Sequence, residues 1–152
     1  MVAISLSPNT ESDDSILAIK TLLQPWKWKT GREIEKVEEW FRKEFNTDTA
    51  VSFNSGRSAL WALLKAFSIG QGDEVLVQAF TCVAVPEVVM WVGATPVYCD
   101  IDDTYNIDPN DIEKKITKKT KAIIVQHTFG IPARIREIRE IGNKYNLIVI
   151  ED

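Results

Sequence analysis

The spacing of apolar positions changes character near residue 49. Before it, apolar side chains recur at three- and four-residue steps, the signature of one helix face. Ser12–Leu23 carries Ile16, Leu17, Ile19 and Leu23, and Glu33–Phe45 carries Ile34, Val37, Trp40 and Phe41 opposite a face of Glu and Lys. Both stretches are predicted helices. Pro25 ends the first, P-W-K-W-K-T-G reads as a loop or irregular extended piece, and Asn46-Thr47-Asp48 closes the second. Residues 1–12 are polar and are expected to be loosely held.

From residue 49 onward, short apolar runs alternate with helical patterns. Ala50–Phe53 is a β-prone run that breaks at Asn54-Ser55-Gly56 and leads into a helix with Leu60, Leu63, Leu64 and Phe67 on one face. Gly70-Gln71-Gly72-Asp73 is a turn, Glu74–Val77 a strand, and Cys82–Val92 a helix. Gly93-Ala94-Thr95 turns into the strand Pro96–Ile101. Asp108-Pro109 starts the next helix, since aspartate caps and proline suits the first turn. Lys121–Val125 is a strand apolar throughout, as expected when both faces are covered. Pro132–Tyr145 reads as a helix with Ile135, Ile138 and Ile141 on one face, and Leu147–Ile150 as a last buried strand.

This order predicts an α/β fold, a mostly parallel sheet flanked by helices. It divides the chain into an N-terminal helical segment, residues 1–48, and an α/β part, residues 49–152. Ligands of such sheets collect outside the carboxyl ends of the strands. The residues expected there are Asn54–Ser58, Gln78–Cys82, Asp100–Asp103, Gln126–Gly130 and Glu151-Asp152.

The turn at Asn54-Ser55-Gly56 is the first candidate. A chain that passes through glycine into a helix leaves the first amides unpaired at the positive end of the helix dipole, a ready anion site. Asn54 or Ser55 suits the cap, and Arg57 and Ser58 add a cation and a hydroxyl. The same residues also suit an ordinary strand-to-helix turn.

Composition narrows the field. A net charge of −4 argues against a nucleic-acid footprint, which needs a basic face. No apolar run approaches the ~18 residues that span a bilayer, and the N-terminus lacks the pattern of a signal peptide. Cys82 and Cys99 sit among apolar residues and form no C-x-x-C pair, so reduced thiols in a cytoplasmic protein are expected rather than a disulfide or zinc site. The acids Asp100, Asp102 and Asp103 lack histidine partners and read as a solvated turn, with no metal expected. Trp26 and Trp28 beside a chain turn read as interface anchors.

Three further candidates lie at strand ends. Asp152 follows four apolar strand residues, and its carboxylate is either near the ligand-binding edge or a cap for a following helix. Phe80-Thr81-Cys82 could wall a ligand ring or join the core. His127, the only histidine, reads as a structural hydrogen-bonding residue rather than a general base.

Five segments occur in a recognisable order: N-S-G-R-S-A-L, G-Q-G-D-E-V-L-V-Q-A-F-T-C-V-A-V-P, G-A-T-P-V-Y-C-D-I-D, T-K-K-T-K-A-I-I-V-Q-H-T-F-G-I-P and Y-N-L-I-V-I-E-D. Together with W-K-T-G-R-E-I-E-K-V-E-E-W-F, this order resembles the DegT/DnrJ/EryC1/StrS family of pyridoxal-phosphate-dependent sugar aminotransferases, over roughly residues 25–152. The resemblance implies the fold-type-I large domain, here incomplete, with the remainder and a small C-terminal domain absent. It implies pyridoxal 5'-phosphate as cofactor and transfer of an amino group, from glutamate, to a nucleotide-linked keto-sugar. It also implies a homodimer acting in nucleotide-sugar and polysaccharide biosynthesis.

By the same resemblance, Gly56, Arg57 and Ser58 match the loop that holds the cofactor phosphate, and Asp152 matches the aspartate that pairs with the pyridinium nitrogen. Cys82 stands where the family usually has a ring-stacking aromatic, so Phe80 is the substitute or the contact is weaker. Arg57 replaces the usual threonine or serine, and either adds charge to the phosphate site or points away. The Schiff-base lysine of the family matches no lysine here, Lys65 and Lys121 included, and is expected beyond residue 152, so the 152-residue chain alone is expected not to transaminate. Two other readings remain: a non-catalytic relative that binds cofactor or sugar as a sensor or partner, and a dinucleotide-binding oxidoreductase domain. The latter is disfavoured because N-S-G-R-S-A lacks the spaced glycines of G-x-G-x-x-G.

Overall fold

A computed structural model describes residues 11–28 and 32–152. The expectations for residues 1–10 and for Lys29-Thr30-Gly31 of the loop lie outside these residues. The chain forms two compact units, one ending at Phe53 and one spanning Asn54–Asp152.

The first unit holds helices α1 (Ser12–Leu22) and α2 (Arg32–Glu44), with a short 3₁₀ turn at Pro25–Lys27 where the sequence suggested an irregular loop. Proline at its first position fits a tight helical turn, and the Trp28 indole N–H donates to the Thr21 carbonyl at 2.8 Å, closing the turn on α1. None of the described residues of this unit is buried. Ala50–Phe53 is not a strand. The Ser52 N–H and hydroxyl are both taken by the Glu38 carboxylate, at 2.8 and 2.9 Å. A side chain of α2 therefore satisfies the backbone group that a sheet neighbour would have used.

The second unit carries α3 (Gly56–Ala66), β1 (Glu74–Gln78), α4 (Ala84–Trp91), β2 (Thr95–Cys99), α5 (Pro109–Lys115), β3 (Thr120–Val125), α6 (Ile135–Tyr145) and β4 (Ile148–Glu151). The four strands form one parallel sheet in the order β2-β1-β3-β4. Side chains alternate across it. Val75, Val77, Ala122, Ile124 and Ile150 pack with Leu60 and Leu64 of α3 and Val85, Val88 and Val89 of α4. Leu76, Ile123, Val125 and Cys99 pack with Ile112 of α5 and Ile138 and Ile141 of α6. β1 and β3 are covered on both faces, which explains their uninterrupted apolar runs.

Several boundaries move, each for a local reason. The helix expected at Cys82–Val92 begins only at Ala84, and Cys82 lies exposed in the preceding turn rather than in apolar surroundings. The strand expected to reach Ile101 stops at Cys99, because the Asp100 N–H turns to the Asp111 carboxylate at 2.7 Å. The helix expected from Pro132 starts at Ile135, and the Ala133 N–H ahead of it donates to His127 Nδ1 at 3.1 Å. β4 lies outermost in the four-stranded sheet, so of its residues only Ile150 is buried. In α3 only Leu60 and Leu64 are buried; Leu63 and Phe67 of the expected face stay about half exposed. Among the described residues, no helix is long and apolar enough to cross a membrane.

Candidate functional site

β1 runs to β2 on one side of the sheet, and the chain then returns to place β3 on the other side of β1. The carboxyl ends of β1 and β3 therefore flank the point where the strand order reverses, the position at which open α/β sheets hold ligands. Gln78 ends β1 and Gln126 follows β3. A cleft of about 490 Å³ opens here, lined by Gln78, Phe80, Cys82, Gln126, His127 and Asp152 among others. A second cavity, of about 220 Å³, is lined by Gly56, Arg57, Cys82, Gln126 and Asp152. The two share Cys82, Gln126 and Asp152.

Five of the six residues singled out from the sequence thus line these two spaces. Ser58 is not among the lining residues, although it belongs to the same helix start. Ser55 is the N-cap of α3: its hydroxyl accepts the Ser58 N–H at 3.2 Å and lies 2.9 Å from the Ser58 hydroxyl. The N–H groups of Gly56 and Arg57 donate to no group among the described residues, as the open end of a helix requires. No atom lies within 4 Å of a Cβ built on Gly56, so the space beside these amides is open. The exposed Arg57 guanidinium sits 3.5 Å from the half-buried Glu87 carboxylate of α4.

Asp152 is tied by its backbone, its N–H donating to the Val125 carbonyl at 2.8 Å. Its carboxylate accepts from Gln126 Nε2 at 3.2 Å. Gln126 was only one member of a strand-end segment in the sequence; that its amide reaches Asp152 depends on the parallel pairing of β3 with β4. Gln78 is almost fully buried, and its amide nitrogen donates to the Phe80 carbonyl at 2.7 Å and the Thr128 hydroxyl at 3.0 Å. The side-chain oxygens of both glutamines are buried without a protein partner among the described residues.

His127 is held as a structural residue would be. Its Nδ1 accepts the Ala133 N–H, so the neutral ring carries its proton on Nε2 and donates toward Glu151 Oε2 at 3.3 Å. The other Glu151 oxygen accepts from Arg139 at 2.7 Å. Phe80 faces other rings at the cleft rim, its centroid 5.9 Å from Tyr105 and 6.3 Å from Phe129. Tyr105 and Phe129 both have positive φ, at 62° and 55°, a conformation that bulky residues adopt only when neighbours enforce it. Buried Asn106 is such a neighbour: its amide donates to the Ile131 carbonyl at 2.9 Å and its oxygen accepts the Thr128 N–H at 2.8 Å.

Of the acidic turn, Asp100 and Asp103 are exposed as expected, and Asp102 is less solvated than its sequence suggested. Asp102 is largely buried, accepts from Thr104, and pairs with Arg134 Nε at 3.2 Å, while Arg134 Nη2 reaches Asp108 at 2.9 Å. Burial disfavours the Asp102 charge, but the bonds from Thr104 and the Arg134 guanidinium outweigh it and hold its pKa below the usual carboxylate value. This network fixes the loop after β2 against the start of α6.

Comparison with known proteins agrees with this geometry. The model of the DegT/DnrJ/EryC1/StrS aminotransferase family matches residues 9–152. GDP-perosamine synthase of Escherichia coli O157:H7 is 38% identical over 128 residues, covering 84% of this chain and 35% of that protein. The aminotransferase from Psychrobacter cryohalolentis superposes with a TM-score of 0.88 at 35% identity, over 99% of this chain and 38% of the other. NtdA from Bacillus subtilis with bound cofactor PMP gives a TM-score of 0.85 at 32% identity, over 95% and 33%. The chain therefore spans about a third of the length of these relatives. Its parallel sheet between helix layers is that of the fold-type-I aminotransferases, and the chain belongs to the DegT/DnrJ/EryC1/StrS aminotransferase family.

Proposed function

We propose that this chain is part of the cofactor-binding large domain, residues 49–152, of a pyridoxal-phosphate-dependent enzyme that transfers an amino group from glutamate to a nucleotide-linked keto-sugar. The observation that carries the reading is one cavity bounded at once by the open start of α3 and by Asp152. A planar heterocycle bearing a phosphate needs an anion site and a carboxylate within one connected space, and this site offers both. The unpaired amides of Gly56 and Arg57 and the open space beside Gly56 fit such a group.

In this reading the Gly56 and Arg57 amides and the Ser58 hydroxyl hold the phosphate, aided by the helix dipole. The phosphate competes with the Glu87 carboxylate for Arg57, so the guanidinium is shared between a protein carboxylate and the ligand. Asp152 keeps a proton on the ring nitrogen. Phe80 and Cys82 wall the ring; a cysteine touches a ring face but cannot stack on it. When bound, the protonated pyridine ring acts as the sink for the electron pair left as the amino donor's Cα–H bond breaks. Among the described residues no lysine lines either cavity. In this reading the described residues supply the groups that bind and orient the cofactor.

Supporting evidence for the substrate class is the likeness to GDP-perosamine synthase. A cytoplasmic homodimer is the assembly we infer, supported by the exposed apolar residues of α1 and α2, among them Ile16, Leu17, Trp40 and Phe41; an uncovered patch of this kind calls for a partner surface. The second reading, a non-catalytic binder of cofactor or sugar, is favoured only by Cys82 in place of an aromatic. The deciding experiment incubates the full gene product with pyridoxal phosphate, glutamate and a nucleotide-linked keto-sugar. Formation of 2-oxoglutarate with an aminated sugar supports the enzyme. Tight cofactor binding without transfer supports the second reading. Absence of cofactor binding overturns the enzyme, and absence of both cofactor and sugar binding overturns the second reading as well.

A further inference from the structure

Asp152 has one side-chain hydrogen-bond donor among the described residues, Gln126. Because a carboxylate only accepts, the amide nitrogen of Gln126 must face it. The amide oxygen is then left buried with no protein partner, an arrangement that costs free energy. The orientation is therefore held by what the nitrogen does. The Asp152 N–H is already bonded to the Val125 carbonyl, which leaves rotation of the exposed side chain to be restrained. Gln126 removes that freedom by occupying Oδ2, while Oδ1 accepts from no group among the described residues. Gln78 differs, since its amide nitrogen is spent on Phe80 and Thr128 and braces loops.

We propose that Gln126 is a positioning residue: its N–H holds the Asp152 carboxylate by Oδ2 so that Oδ1 is presented to the ring nitrogen of bound pyridoxal phosphate. This rests on the role given to Asp152 above. Gln126 and Asp152 line both cavities, so the pair lies where the cleft and the helix start meet.

The test uses the full gene product and pyridoxal phosphate labelled with ¹⁵N in the ring. Binding is followed by fluorescence, and the ring nitrogen by its chemical shift, which reports protonation directly. The variants are Gln126→Met, which keeps bulk and loses the donor, Asp152→Asn, and the two combined. Losing one hydrogen bond to a charged group is expected to weaken binding about tenfold. Q126M should also move the nitrogen signal toward the unprotonated value, and D152N should move it further the same way. Adding Q126M to D152N should change neither readout. Wild-type shift and affinity in Q126M would overturn the proposal, as would an equal loss in the D152N background, which marks general damage to the fold. If D152N itself leaves the shift unmoved, the role of Asp152 falls, and this proposal with it.

Discussion

Cys99 ends β2 inside the core while Cys82 stands exposed at the cleft, so the two thiols are chemically unlike. Burial pushes the Cys99 thiol up to about 12; the Lys115 charge partly offsets this and Asp111 adds to it. A pKa raised in the folded state means a contribution to stability that is complete below the unfolded value and lost as pH rises through the folded one. Unfolding free energy should therefore decline from pH 9 upward. Iodoacetamide at pH 8 should alkylate Cys82 alone until denaturant is added, as peptide mass mapping would show. Equal labelling of both cysteines in the native protein would contradict the burial of Cys99. The thiols illustrate what neighbours in sequence conceal: both follow apolar stretches, yet only the one at the end of a sheet strand is enclosed.

At the scale of elements, α6 meets β4 through Gly142. A Cβ placed there would lie 2.6 Å from Val149 Cγ2 and 3.3 Å from the Leu147 carbonyl. Gly142→Ala is predicted to cost about 1–3 kcal/mol in urea denaturation despite the better helix propensity of alanine. Val149→Ala in the same chain should return part of that loss, since it removes the clashing methyl; no recovery would place the strain elsewhere. The Ser55 cap shows the reverse case. The sequence narrowed the cap to Asn54 or Ser55 ahead of an apolar repeat, because a cap bond spans only three residues, and the structure assigns it to Ser55.

For the whole molecule, the unburied helices of the first unit are the main unexplained surface. Trp26 is 70% exposed, whereas Trp28 is engaged with Thr21. If α1, α2 and this turn are covered by a second copy, the wild-type protein sediments as a dimer and Trp26→Ala shifts it toward monomer at micromolar concentration. Trp28→Ala should in addition lower the melting temperature, through loss of its hydrogen bond. A Trp26→Ala protein with an unchanged sedimentation coefficient would remove this turn from the interface.

The alternation of strands and helices, the helix starts at Ser55 and Asp108 and the apolar runs of β1 and β3 were all set by the sequence, because they depend on residues a few positions apart. The ordered motifs likewise carried the family. What only the tertiary structure decided is which side chains meet. Ala50–Phe53 has strand propensity but loses its hydrogen-bonding group to Glu38, fourteen residues earlier. Asp102 reads as a solvated acid until Arg134, thirty-two residues later, closes on it. Gln126 reaches Asp152 across twenty-six residues only because β3 and β4 run parallel in register. Such contacts follow from how segments distant in sequence pack together, which periodicity cannot encode.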